Sequence, residues 1–318
     1  MQINSLTDIV EGKLQNSPAI SFITQIHTEI SKTNEGDAFF AIDHKDIPKA
    51  IEKGAFAIIY ETETHILDEE IAWIKVDNLS KSIANILRYK LIEYKNQYIL
   101  TNKFFLYLLK IFKSKELSYV VILEDNLSNN FELLNNIEEN KLICSTNSKF
   151  LNNIATDIFT LEDKEFKLQN LTIHSLFETT FSYKQRYFDR LKIPRVYVDY
   201  LLQVLELFEY KLDLKKLSHF NLFKPVFINK SNQIAPFGQT NRFILANKDS
   251  DVYTKEIQYI NENYSYADIS IKDGASLTDS EIMTIIEKEI FNAIYFQNIE
   301  IEHIIEILKN NDNQEKLL

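Results

Sequence analysis

The chain has 318 residues, 45% of them apolar and 12% aromatic, and a formal net charge of −11. That length suits two or three domains with ordinary cores and excludes intrinsic disorder. The acidic balance opposes a nucleic-acid or anionic-lipid surface, which needs excess Lys and Arg on one face, and a single cysteine excludes an internal disulfide or a thiolate metal site.

In chain order, residues 1–95 read as a compact α/β unit. Asp37 to Ile42 is a strand after a turn at Gly36, and Ile47 to Lys53 is a short helix stopped by Gly54. Ala55 to Tyr60 and Ile71 to Val76 are continuous apolar strands of the kind buried on both faces. Leu79, Ile83, Ile86, Leu87 and Leu91 then recur at helical spacing. The start, Met1 to Leu6, lacks the basic and apolar segments of a signal peptide, and no uncharged apolar run approaches the ~18 residues of a membrane span. A cytoplasmic location is the expectation.

Residues 96–222 carry a strand at Tyr98 to Thr101, an apolar helix from Phe104 to Phe112 and a strand at Tyr119 to Leu123. Further strands at Lys141 to Cys144 and near Ile158 to Thr160 continue a βαβ rhythm. Cys144 lies in one of these strands and reads as a buried, inert thiol. Helices are expected near 194–210 and 212–220. Residues 223–318 read as a third segment with a strand at Arg242 to Leu245, helices at Tyr253 to Asn261 and about 278–290, and a last helix. A polar tail, Asn310 to Lys316, is expected to fray.

Phosphate-binding loops place several glycines within about six positions, because the backbone must approach the phosphate closely. The five glycines here, Gly12, Gly36, Gly54, Gly238 and Gly274, are scattered. The six histidines are also scattered, and no metal site is expected. Glu302-His303 reads as a surface pair. No Ser/His/Asp set and no G-x-S-x-G motif is present, so no catalytic residue is assigned. Glu124-Asp125-Asn126, after a buried strand, fits either a ligand position at the carboxyl end of a sheet or a helix cap. Tyr183 to Lys192 mixes basic and aromatic residues; at helical spacing this fits core contacts with a solvated charged face better than a nucleic-acid surface.

Taken in order, these segments resemble the Mur ligases, the ATP-dependent enzymes that add amino acids to the UDP-MurNAc peptidoglycan precursor, and especially the branch that adds D-Ala-D-Ala. Thr28 to Ile42 looks like the family's "T-D-S-R-x-x-x-P-G-D-L-F-V-A-L", His44 to Ala55 like "H-D-F-I-x-x-A-I-x-K-G-A", and Val76-Asp77-Asn78 precedes a helix at the family's spacing. The resemblance implies that this first domain holds the UDP part of a substrate, with Thr28, Ser31, His44, Asp77 and Asn78 as binding candidates. The Ser-Arg of the motif is replaced by Ile30-Ser31, so the arginine that would meet a pyrophosphate is gone.

The family's "I-T-G-x-N-G-K-T-T" falls at Ile99 to Phe105. Strand, Thr101 and Lys103 keep register, but both glycines are missing and Phe104-Phe105 replace the metal-binding hydroxyls. Ile193 to Leu202 stands where the family has "G-x-H-N-V-x-N-A-L-A", with Arg195 in the His place. Ile244 to Ser250 resembles "D-D-S-Y-N-A-N-P-D-S" without its leading acids. Thr101, Lys103, Asn247 and Asp249 are the remnants of a nucleotide site.

The resemblance therefore implies an α/β, Mur ligase-like multi-domain architecture. It comprises a UDP-binding-type domain at 1–95, a reduced P-loop-type central domain at 96–222 and a shortened Rossmann-like third domain at 223–318. The expected function is non-catalytic: binding of a UDP-linked precursor or of a cell-wall-synthesis enzyme, with no cofactor. ATP and Mg belong only to the alternative of a divergent active ligase, and a plain α/β interaction protein is the third reading. Phe39, Phe40, Phe104 and Phe105 are candidates to fill former ligand space.

Overall fold

A computed structural model describes residues 1–265 and 267–315, and the chain divides into two compact units, Met1–Asp163 and Lys164–Leu318. The first unit opens with α1 (Ile3–Ile9), β1 (Lys13–Leu14), β2 (Ile26–His27), β3 (Ala38–Phe40), α2 (Ile47–Glu52), β4 (Ala57–Tyr60), β5 (Ala72–Lys75) and α3 (Leu79–Leu91). Its strands form a sheet in the order β1-β5-β4-β3-β2, parallel except for β1 against β5. The unbroken apolar runs become β3, β4 and β5, buried on both faces apart from Lys75. Gly54, at φ +85°, turns the chain out of α2; a Cβ there would lie 3.1 Å from the Glu35 backbone.

The same unit continues with β6 (Gln97–Leu100), α4 (Lys103–Phe112), β7 (Val120–Ile122), α5 (Leu127–Asn135), β8 (Leu142–Ser145), α6 (Ser148–Ile154) and β9 (Phe159–Thr160). These strands make an all-parallel sheet, β7-β8-β6-β9. Between the two sheets α3 packs against α5 and α6. One apolar cluster thus runs from Leu6 of α1 through Ile74 and Ile83 to Phe131 and Leu151. Phe40 and Phe131 meet edge to face at 5.7 Å within it. Cys144 is fully buried in β8, and burial pushes its thiol up to about 12.

The second unit starts with an antiparallel sheet, β10 (Gln169–Ser175), β11 (Glu178–Tyr183) and β12 (Arg186–Leu191). This corrects the helical reading of Tyr183 to Lys192. Lys184 and Gln185, at φ 44° and 60°, form the two-residue turn of a hairpin, a geometry that usually takes Asn and Gly. The aromatics are split by strand alternation: Phe188 is buried and stacks on Phe181 at 4.8 Å, while Tyr187 faces solvent.

Next come α7 (Val198–Leu207), a 3-10 turn at Leu214–His219 where an α-helix was expected, β13 (Val226–Phe227), β14 (Phe243–Asn247) and α8 (Ser250–Asn263). The chain continues with β15 (Ile269–Asp273), α9 (Asp279–Lys288), β16 (Ala293–Gln297) and α10 (Ile301–Glu315). The sheet order is β13-β14-β16-β15, parallel except for β13. Ile282 and Ile286 of α9 and Ile304 and Leu308 of α10 share a cluster with Ile244 and Ile294 of the sheet. The helix α10 runs through most of the segment read as a polar tail, and Lys316 lies outside the described residues.

Candidate functional site

Four helices of the first unit begin at asparagines, and three of them head one cleft. Asn78 accepts from the Lys81 N–H at 2.8 Å at the head of α3, Asn126 from the Asn129 N–H at 2.9 Å for α5, and Asn147 from the Phe150 N–H at 2.9 Å for α6. Each cap satisfies one of the orphan amides of a first turn. All three asparagines line one cleft of about 560 Å³, together with Ser80, Lys81, Glu124, Asp125 and Lys149. Of the charged groups, Lys81 is paired with Glu11 at 2.6 Å and Glu124 with Lys110 at 2.6 Å. Among the described residues Lys149 has no ion-pair partner. The positive ends of α3 and α5 face this space, which suits a polar ligand with acceptor oxygens. Of Glu124-Asp125-Asn126, Asn126 is a helix cap, and all three residues line the cleft.

The middle of α5 carries a second constellation. Glu132, 5% exposed, accepts from the Thr28 N–H at 2.8 Å and from Thr28 Oγ1 at 3.1 Å, and lies 3.2 Å from His27 Nδ1 and 3.5 Å from Lys32 Nζ. Asp37 flanks the other side of His27, 3.7 Å from Nε2, and its carboxylate accepts from the Gln25 and Asn34 N–H groups. Burial opposes ionisation of Glu132, but the bonds from the Thr28 N–H and His27 prevail and hold its carboxyl below the usual range. Ser128 adds a 2.8 Å bond to Thr28 Oγ1.

The structure brings few of the sequence candidates together. Asn78 lines the cleft, whereas its neighbour Asp77 is exposed outside the lining. Thr28 is buried against Glu132. Ser31 is exposed and donates to Glu29 at 3.4 Å. His44 is exposed and opens a 3-10 turn leading into α2, capped by Asp43 through the Lys45 N–H. Thr101, at the end of β6, is 7% exposed, and its Oγ1 has no hydrogen-bond partner among the described residues. Lys103 is the first residue of α4, its ammonium 5.7 Å from the Phe104 ring centre.

Where the sequence reading set a phosphate loop, Asn102 caps α4 by accepting from the Phe105 N–H at 2.9 Å and donates to Asp163 at 2.6 Å. Phe105 is fully buried and Phe104 8% exposed; Phe39 and Phe40 are buried as well. In the second unit Asn247 Oδ1 accepts from the Asp249 N–H at 2.9 Å, and Asp249 caps α8 through the Asp251 and Val252 N–H groups.

Sequence reasoning missed Glu132, Lys149 and Asn147. The recurrence of Asn-Leu-Ser at 78–80 and 126–128 marks two of the three helices that head the cleft and was available in the sequence. Glu132 meets Thr28 across 104 residues, a separation that leaves no local signal. Elsewhere His303 pairs with Asp279 at 2.9 Å rather than with Glu302. Among the described residues no helix is long and apolar enough to cross a membrane.

No protein-family model and no curated protein matches the sequence. Solved structures do match. A MurF ligase from Thermotoga maritima, in complex with ADP, aligns with a TM-score of 0.56 at 12% identity over 92% of this chain and 98% of that one. A MurF from Acinetobacter baumannii gives 0.54 at 10% identity over 97% and 98%. The likeness is one of fold: the chain has a Mur ligase-like α/β architecture, as its motifs imply.

Proposed function

We propose that this Mur ligase-like chain is a non-catalytic relative that binds a UDP-linked peptidoglycan precursor in the Asn78 cleft. The observation that carries the reading is a contrast within the first unit. At α4 the helix start that would cradle phosphate is followed by buried Phe104 and Phe105, which fill the space there. At α3 and α5, whose first turns are capped by Asn78 and Asn126 just as α4 is by Asn102, an open, polar cleft of about 560 Å³ holds Lys149.

A triphosphate needs several free backbone amides in a concave loop and a hydroxyl for its metal ion. The residues at α4 do not fit that group: phenyl rings stand in place of the hydroxyls and no glycine lies near. When bound in such a site, ATP would supply the phosphoryl group that activates a carboxylate. Thr28 is also unavailable to a ligand, because Glu132 takes both its N–H and its hydroxyl. This concentrates the proposal on the cleft, where Asn78, Ser80 and Lys149 supply hydrogen bonds and charge to ribose and diphosphate oxygens.

Isothermal titration with UDP-MurNAc-tripeptide, and separately with Mg·ATP, tests this. The expected result is precursor binding near ~100 μM, about −5.5 kcal/mol, weakened in Lys149→Glu, with no heat from Mg·ATP. Precursor binding that Lys149→Glu leaves unchanged removes the cleft from the proposal. The buried, unpartnered Thr101 hydroxyl favours a second reading, a divergent active ligase using Thr101 and Lys103. Mg·ATP binding that Lys103→Ala abolishes would select it.

A further inference from the structure

The second unit contains a cavity of about 710 Å³ with a different character. Its floor is built from phenylalanines. Phe177 meets the rings of Phe223, Phe237 and Phe243 at 5.4, 5.7 and 5.6 Å, and Phe237 also contacts Phe227 at 5.0 Å. Despite these contacts Phe237 is 64% exposed. A large ring fixed by its neighbours yet left in water at a cavity mouth is an unfilled aromatic surface. A smaller apolar groove of about 240 Å³ shares Lys224, Pro225 and Phe237 with the cavity as a common wall.

Two further observations mark this cavity as a site. Phe223, in its wall, has φ +57°, the left-handed region that a bulky residue enters only when its surroundings force it. Its N–H donates to the buried Glu256, which holds that geometry. The charge around the mouth also runs against the rest of the molecule. Lys192 and Lys224 line it with one carboxylate, Glu178, on a chain of net charge −11. Among the described residues neither lysine has an ion-pair partner.

We propose that this cavity binds a planar aromatic ligand carrying one anionic group, the ring packing on Phe177 and Phe237 and the anion meeting Lys192 and Lys224. The cavity has the size and composition of small-molecule sites, mostly apolar with a few charged groups that orient the ligand. Edge-to-face contacts to two rings select for aromaticity, and paired ammonium groups at the mouth select for negative charge.

The test uses naphthalene-2-sulfonate as probe on the full chain, with 2-naphthalenemethanol as the ring without charge and methanesulfonate as the charge without ring. Binding is read by saturation-transfer NMR and isothermal titration. The sulfonate is expected to saturate below about 1 mM, with the neutral ring about fivefold weaker and methanesulfonate not saturating. Phe237→Ala, an exposed position that leaves the core intact, should weaken the sulfonate about fivefold. The Lys192→Gln/Lys224→Gln double variant should bring it to the level of the neutral ring. Absence of saturable binding, or an affinity that Phe237→Ala leaves unchanged, overturns the site. Equal affinity for the neutral ring overturns its anionic half.

Discussion

Replacing Glu256 by Gln tests how the second unit is held together. The carboxyl lies on α8, 1% exposed; the Tyr197 hydroxyl donates to it at 2.6 Å and the Tyr295 hydroxyl donates to its other oxygen. Burial raises it from 4.5 to about 7, against the opposing bonds from Tyr197, Tyr295 and the Phe223 N–H. The folded chain therefore binds this proton more tightly than the unfolded one. The group's contribution to stability is full below its unfolded value near 4.5 and is lost as pH rises through about 7. A gap of about 2.5 pH units, at 1.36 kcal/mol each, amounts to roughly 3 kcal/mol. Glutamine keeps the shape and can accept from one tyrosine while donating to the other, but it cannot ionise. Urea unfolding of both proteins from about pH 5 to about pH 9 should show the variant gaining roughly 3 kcal/mol on the wild type across that range. The subtraction removes every other titrating group. A difference constant to within about 0.5 kcal/mol would refute the reasoning and mean that Glu256 is ionised in its pocket at all these pH values.

Further outcomes are expected at three residues. Phe105→Ala, at a fully buried position in α4, should cost about 3–5 kcal/mol in urea melts; a loss under about 1 kcal/mol would mean the ring is not part of the core. Glu132→Ala strips partners from the Thr28 N–H, His27 and Lys32 and should cost roughly 3 kcal/mol. Because its carboxyl is held below 4.5, the wild-type contribution is present above that value and lost as pH falls through the lowered one, so Glu132→Gln should flatten the acid side of the stability profile. Cys144, buried and with its thiol pushed up to about 12, should resist a thiol reagent in the folded protein and react fully in urea. Rapid labelling of native protein would mean that β8 opens.

The elements legible in the sequence were those whose signal is local. β4 and β5 follow from unbroken apolar runs, and the end of α2 follows from Gly54. The hairpin of β11 and β12 was hidden because Lys184 and Gln185 take the left-handed region without Gly or Asn. Its neighbour β10 is exposed along its whole length, and only Leu171 and Ile173 among polar residues mark its alternation. The short helices α5 and α6 lack the length for a helical period to stand out, and their caps, Asn126 and Asn147, are single residues in an Asn-rich chain. The same limit explains the site. Asn78 was found through the Val76-Asp77-Asn78 segment of the family resemblance, whereas the cleft depends on three loops converging from positions 78, 126 and 147.

The helix heads at or beside the residues that the resemblance implies for a nucleotide share one arrangement. Asn102 and Asp249, at the heads of α4 and α8, turn their own side-chain oxygens onto the first-turn amides. Such caps are worth about 1 kcal/mol each and need no ligand. Together with Phe105 sealed into the core, the self-capped ends describe helices stabilised by packing and internal bonds alone. These two helix starts are thus explained by internal bonds and packing. The two features that packing does not explain, the open polar cleft at Asn78 and the exposed Phe237 on its aromatic floor, are where ligand binding is to be sought.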